Sequence, residues 1–130
     1  MIEFRLDNRS GVSTYLQLVQ QVRQSLRVGI LGPGDQLPTV REVVEKLAIN
    51  PNTVLKAYRE LEHEGLVEGR PGQGTFVVGS IPGPPPGSYT RLRRGLSRWL
   101  REARRAGLDE ESIVALVTTT LRDEAERHVA

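Results

Sequence analysis

The chain has 130 residues, 38% hydrophobic and 26% charged, which suits one ordinary soluble domain or a small domain plus an accessory piece. The absence of cysteine excludes disulfides, thiolate zinc sites and cysteine nucleophiles. Net charge is only +2, and residues 1–79 balance nine basic against nine acidic side chains, so any strongly positive surface must come from local arrangement.

The segment 1–7 carries acids and no apolar core, unlike a signal peptide, and no apolar run approaches the roughly 18 residues of a membrane span. A cytoplasmic protein without membrane association is the expectation. Ile2, Phe4 and Leu6 alternate with Glu3, Arg5 and Asp7, a short strand-like pattern, and residues 8–11 read as a turn. A first helix is predicted from Ser13 or Thr14, where Thr14 and Gln17 have capping-box spacing. Its apolar stripe is Tyr15, Leu18, Val19, Val22 and Leu26, and Gly29 is its stop.

Turn formers crowd residues 31–35, and Gln36-Leu37 reads as a very short strand before Pro38. The second helix opens at Thr39, which forms a capping box with Glu42, and buries Val43, Val44 and Leu47. Ala48-Ile49 turns the chain into a third helix. Asn50 caps it and Pro51 takes its first position, where the missing N–H has no intrahelical partner to lose. Ile49 and Val54 have the spacing of a hydrophobic staple. Val54, Ala57, Tyr58 and Leu61 form a stripe facing a core, whereas Asn52, Thr53, Lys56 and Arg59 lie on other faces. An amide, a hydroxyl and two cations are groups that donate to phosphates and base edges, so this helix reads as the recognition helix of a helix-turn-helix.

Gly65 ends that helix. Residues 66–68 and 75–78 are short strand candidates around a glycine-rich loop, 69–74, that carries Arg70 with Gly72, Gln73 and Gly74. Two strands with a basic, glycine-rich tip after a helix-turn-helix describe a wing. Such a tip suits backbone or minor-groove contact, and equally a plain tight hairpin. The proline-rich stretch 80–87 is a linker, placing a winged helix-turn-helix domain at 10–79 and a helical hairpin at 88–130.

In that hairpin Leu92, Leu96, Trp99, Leu100 and Ala103 make one stripe, and Ile113, Leu116, Val117 and Leu121 another. Gly107 separates the helices, Asp109 caps the second, and Leu108 and Ile113 have staple spacing. Two such helices are too few to bury a core alone, so dimerisation through Leu92, Leu96, Trp99, Leu100, Ile113, Leu116, Val117 and Leu121 is inferred. Within 91–105 there are seven arginines and one glutamate. Their readings are a solvated face, pairing with the acids of the following helix at a dimer interface, or phosphate contact.

The blocks Tyr15-Leu16-Gln17-Leu18, the run 29–38, Arg41-Glu42, Asn50-Pro51-Asn52-Thr53-Val54, Leu61-Glu62-His63-Glu64-Gly65-Leu66 and Gly72-Gln73-Gly74-Thr75-Phe76-Val77 follow one another in a recognisable order. On these, residues 14–78 resemble the winged helix-turn-helix domain of the GntR family of bacterial transcription regulators, and the Asn-Pro-Asn-Thr-Val turn with the short helical tail is most similar to its YtrA subfamily. The resemblance implies a mainly α fold with a small β-wing. It implies a homodimer, joined through the C-terminal helices, on a palindromic operator in double-stranded DNA. It also implies repression of the protein's own operon, commonly one encoding an ABC transporter. The first turn of the third helix would enter the major groove, with Asn52 and Lys56 at base edges and Asn50 and Thr53 at the backbone. Arg41 would contact phosphate or a base, and Thr39 a phosphate at a helix N-terminus. Arg59 either reads DNA or pairs with Glu60 or Glu62. The larger subfamilies carry an effector-binding domain after the linker; the segment 88–130 offers no pocket residues that can be carried over, which leaves a small-molecule effector open.

Catalysis finds no support: His63 and His128 are the only histidines, and no nucleophile–base set or phosphate-cradling lysine loop occurs. No cofactor or metal is expected. The alternatives kept open are a winged helix used as a protein–protein module and a non-specific nucleic-acid binder.

Overall fold

In a computed structural model, which describes residues 2–83 and 87–129, the apolar stripes become the buried faces of helices. Those residues fall into two compact units, one ending in the proline-rich stretch and one starting at Gly87. The first unit holds α1 (Thr14–Arg27), α2 (Val40–Leu47), α3 (Pro51–His63), β1 (Val67–Arg70) and β2 (Gly74–Val77). Leu18, Val19 and Val22 of α1 meet Val54, Ala57 and Leu61 of α3 in a single core that also takes Leu37, Val43, Val67 and Val77. Fully burying each Leu or Val contributes about 1.5–3 kcal/mol before the entropy of ordering is subtracted.

The local signals set the ends of α2 and α3. Thr39 Oγ1 accepts from the Glu42 N–H at 3.1 Å, and Glu42 Oε1 accepts from the Thr39 N–H at 3.2 Å, a complete capping box. Asn50 Oδ1 accepts from the Asn52 N–H at 2.8 Å, and Pro51 opens α3. Gly65, at φ +79°, closes α3: its N–H donates to the Glu62 carbonyl and the Leu66 N–H to the Leu61 carbonyl. The turn between the two helices takes a less expected form. Ala48 sits at φ +53°, a left-handed conformation that costs a non-glycine residue about 1–2 kcal/mol.

The box expected between Thr14 and Gln17 does not form. Ser13, not Thr14, is the extended cap residue, so the spacing is off by one, and Ser13 makes no side-chain cap bond. Gln17 is instead committed to the N-terminal arm. Its Oε1 accepts from the Asp7 N–H at 2.8 Å, and its Nε2 donates to the carbonyls of Asp7 at 3.0 Å and Val12 at 2.9 Å. One turn on, Gln21 makes the same pair of bonds with the backbone of Arg5, at 2.9 and 2.6 Å. Four helical residues rise about 6 Å and two extended residues about 6.6 Å, so glutamines at i and i+4 can match alternate residues of an extended chain. The arm is thereby held flat with Ile2 and Phe4 buried in the core. The first unit therefore starts well before residue 10.

The strands shift slightly from their expected limits. β1 and β2 pair antiparallel from Val67↔Val77 to Arg70↔Gly74, leaving Pro71, Gly72 and Gln73 as the tip. Arg70 is thus the last residue of β1, not part of the loop. Gln36 adds a single bridge opposite Phe76, and the Leu37 N–H donates to the Thr75 carbonyl at 2.9 Å, which fastens the segment before α2 to the hairpin. Pro84, Pro85 and Pro86 of the expected linker lie outside the described residues, whereas Ile81 still packs on the core of the first unit.

The second unit is α4 (Ser88–Arg105), an elbow at Gly107, and α5 (Glu110–Val129). The Asp109 carboxylate accepts from the Ser112 N–H at 2.8 Å, and the Ser112 hydroxyl, with that N–H second, holds its pKa below the ordinary carboxylate value. Ala103 and Ile113 are buried. Farther along the arms the stripe residues stay exposed within one chain: Leu92 58%, Leu96 53%, Leu116 45%, Leu121 64%. Trp99 and Leu100 are half-buried.

Candidate nucleic-acid interface

The N-termini of α2 and α3 and the tip of the hairpin carry the polar residues singled out from the sequence. At 100° per residue, Asn52, Lys56 and Arg59 fall within an arc of roughly 60° on α3, and all three are exposed. Asn50 and Pro51 are exposed beside them and Thr53 is half-buried. Asn50 spends its side-chain oxygen on the cap, which leaves its amide NH2 to donate elsewhere. The opposite face of α3 is anchored in the core, so the polar arc is presented on a rigid element.

Three details escape the one-dimensional pattern. First, the Lys56 ammonium lies 4.0 Å from the centroid of the Tyr15 ring on α1. Leaving that ring for a base edge would forfeit a cation–π contact worth about 0.5–1 kcal/mol at an exposed site. Second, Arg59 has no carboxylate within salt-bridge distance among the described residues, so pairing with Glu60 or Glu62 is not its state here. Third, the Tyr58 hydroxyl donates to the Pro38 carbonyl at 2.6 Å in a buried setting. That bond ties α3 to the residue just before the α2 cap. Burial, and then the Glu42 charge, push the phenol well above its ordinary pKa, so it remains a protonated donor. A buried tyrosine hydroxyl needs a partner, but the sequence could not name it.

Arg41 is exposed, its side chain 88% accessible, and its Nε donates to Glu45 at 3.3 Å. An exposed i,i+4 pair is worth about 0.3–0.5 kcal/mol, too little to hold the guanidinium against a phosphate. Thr39 is half-buried; with its oxygen accepting in the capping box, its O–H still has a proton to donate. Both stand in the first turn of α2, where backbone N–H groups and the helix dipole favour an anion.

On the wing, Arg70 lies over the Phe76 ring at 4.5 Å and within 3.5 Å of the Glu68 carboxylate. Its charge therefore runs along the hairpin and does not project from the tip. Gly72, at φ +72°, makes the turn; Gln73 is held through its carbonyl, which accepts from Gln36 Nε2 at 3.2 Å. At Gly74 a Cβ would come within 2.6 Å of that same nitrogen, so glycine is what lets Gln36 support the tip. Thr39, Arg70, Gly72, Gln73 and Gly74 line one open groove. Glu62 lines it too, an acid that narrows where a phosphate could sit. Gln36, expected only as part of a short strand, and Glu62, expected only as a partner for Arg59, are brought to the wing by the fold. Neither belongs to a stripe or a cap, so nothing local marks them for the wing.

Residues 14–77 match the family of bacterial regulatory proteins described as gntR. Over 110 residues the chain is 37% identical to the HTH-type transcriptional repressor YtrA of Bacillus subtilis strain 168, covering 84% of this chain and 85% of that one. The chain belongs to the GntR family. It is a DNA-binding transcription regulator of GntR type, and the family's characterised work is regulation, not catalysis. Its structure resembles that of YtrA from Sulfolobus acidocaldarius, a GntR-family transcription factor, with a TM-score of 0.54 and 30% identity over 75% of this chain and 97% of that one. It also resembles the DNA-binding domain of AraR in complex with operator ORR3, with a TM-score of 0.50 and 25% identity over 59% of this chain and 93% of that one. The winged fold and the helical tail expected from the GntR resemblance are both present.

Proposed function

We propose that this chain is a repressor that binds a palindromic operator as a homodimer, in the cytoplasm, and that its own operon, with ABC transporter genes, is the target. The observation that carries the reading is the rigid polar arc at the start of α3, with the α2 N-terminus and the wing tip beside it. In this reading Asn52 and Lys56 contact base edges. Asn50, Pro51 and Thr53 set the backbone approach, and Thr39 and Arg41 hold phosphates. Arg59 extends the arc, and Arg70, Gly72, Gln73 and Gly74 let the wing lie against the neighbouring groove. Reading by two copies needs them held at one spacing. What supports dimerisation is the exposed apolar groove of the second unit, lined by Leu96, Trp99, Leu116, Val117 and Leu121, which a second hairpin of the same kind would bury. The relative in Bacillus subtilis is named a repressor, which favours repression over activation.

The test is a gel shift on the DNA upstream of the protein's own gene, with random duplex as competitor. Wild type should prefer the upstream fragment. Lys56→Ala should lose about 1–3 kcal/mol of that preference, the worth of a base contact, and Arg41→Ala should weaken binding to both DNAs. Equal binding of wild type and both variants to random DNA would make the chain a non-specific binder; no binding to DNA at all would favour a protein–protein module.

A further inference from the structure

The arginines of α4 are used by nothing described so far. Arg91, Arg93, Arg94, Arg98, Arg101, Arg104 and Arg105 are all exposed. At 100° per residue they occupy an arc of roughly 160°, opposite Leu92, Leu96, Trp99 and Ala103. Arg93, Arg94, Arg98 and Arg101, with Thr90 and Ser97, line one shallow surface groove.

Among the described residues none of these arginines forms a salt bridge, although Glu110, Glu111, Asp123, Glu124 and Glu126 belong to the same unit. In the first unit Arg23, Arg41, Lys46 and Arg70 are paired and the other basic residues are scattered, whereas α4 gathers seven unpaired arginines on one face. Unpaired like charges at 91/94, 94/98, 98/101, 101/104 and 101/105 oppose the helix that carries them. A polyanion laid along the face would remove that repulsion.

We infer that the arginine face of α4 is a second DNA-binding surface, which grips the phosphates of duplex DNA without reading sequence; this rests on the reading of the chain as an operator binder. Residues 80–130 contain nine arginines and no lysine. The guanidinium fork matches phosphate oxygens two at a time, which an ammonium does not. From Arg91 to Arg105 the helix rises about 21 Å, and duplex DNA carries one charge for about every 1.7 Å of its axis, so several phosphates fall within reach at once. A membrane surface fits less well. A helix lying on lipid must insert its apolar face, and in α4 that face lines the groove shared with α5.

The experiment uses the full chain and the triple variant R94Q/R98Q/R101Q, since glutamine keeps helix propensity and all three sites are exposed. Binding to the operator fragment and to a random duplex of equal length is measured between about 50 and 200 mM salt. The variant should lose the same factor, tenfold or more at low salt, on both duplexes. Its preference for the operator should be unchanged, and the slope of log K against log salt should fall by about 0.9 for each phosphate contact removed. An unchanged slope with operator preference intact overturns this inference alone. Conversion of the variant to monomer in sedimentation also overturns it, because the arginines would then serve the subunit interface. So does loss of binding to phosphatidylglycerol vesicles without a change on DNA. A wild-type chain that binds neither duplex sinks the operator reading as well, and Lys56→Ala, which should lower the preference while retaining most of the salt slope, keeps the two failures apart.

Discussion

Replacing Tyr58 by phenylalanine tests how α3 is held. The ring is 6% exposed and its hydroxyl lies 2.6 Å from the Pro38 carbonyl. Phenylalanine keeps the ring packing but leaves that carbonyl without its donor in a buried site. An unsatisfied buried acceptor costs about 1–3 kcal/mol, and a domain of this size should melt some 4–8 °C lower for each kcal/mol. The linkage has a definite sign. The folded-state pKa is raised above the unfolded value of about 10, so the neutral phenol's contribution is complete below pH 10 and is lost as pH rises beyond it. Urea titrations of wild type and Tyr58→Phe from pH 7 to 11 measure both effects. Wild type should fall toward the variant above pH 10, because in the unfolded wild type the phenol ionises. Operator affinity at 20 °C, where both remain folded, should also drop, because Thr39 and the α2 N-terminus lose their tie to α3. Equal stability at pH 7 would show that the bond to Pro38 contributes nothing, and parallel pH curves would show that burial does not hold the phenol neutral.

Gly79→Ala should destabilise the first unit by roughly 1–3 kcal/mol in denaturant unfolding, since a Cβ there would sit 2.5 Å from the Gly65 carbonyl oxygen and 3.2 Å from the Leu66 Cα. Thr39→Ala should cost about 1 kcal/mol of stability through the lost capping box, and should weaken operator binding at a temperature where the variant is fully folded; unchanged affinity would remove Thr39 from the phosphate contacts. Leu121→Glu alters a side chain 64% exposed in the single chain, so its thermal unfolding as a monomer should change little while sedimentation shows the proposed dimer dissociating; a stable dimer would take Leu121 out of the proposed interface. Gln17→Leu should loosen the arm, seen as faster amide exchange at Asp7, whose N–H it leaves without an acceptor; unchanged exchange would mean that Gln21 and the burial of Ile2 and Phe4 hold the arm without it.

What the sequence determined by itself is what depends on neighbours three or four positions away. The Thr39–Glu42 box, the Asn50 cap with Pro51, and the Gly65 and Gly107 stops are made by backbone groups that only local side chains can reach. The stripes along α1 and α3 follow from the helical period, and so does the polar face of α3 that carries Asn52, Lys56 and Arg59. The tertiary structure decided the contacts between residues distant along the chain. Ile2 and Phe4 join the core because Gln17 and Gln21 hold the arm, at separations of 10 and 16 residues from Asp7 and Arg5. Lys56 rests on Tyr15, and Tyr58 finds Pro38 twenty residues away. The Thr14–Gln17 box illustrates the limit: the two residues are three apart, but Ser13 and not Thr14 is the cap, and Gln17 is spent on backbone groups of Asp7 and Val12. Arg70 shows the same for the wing, because pairing with Gly74 sets its charge over Phe76, an outcome fixed by strand register and not by the composition of the loop.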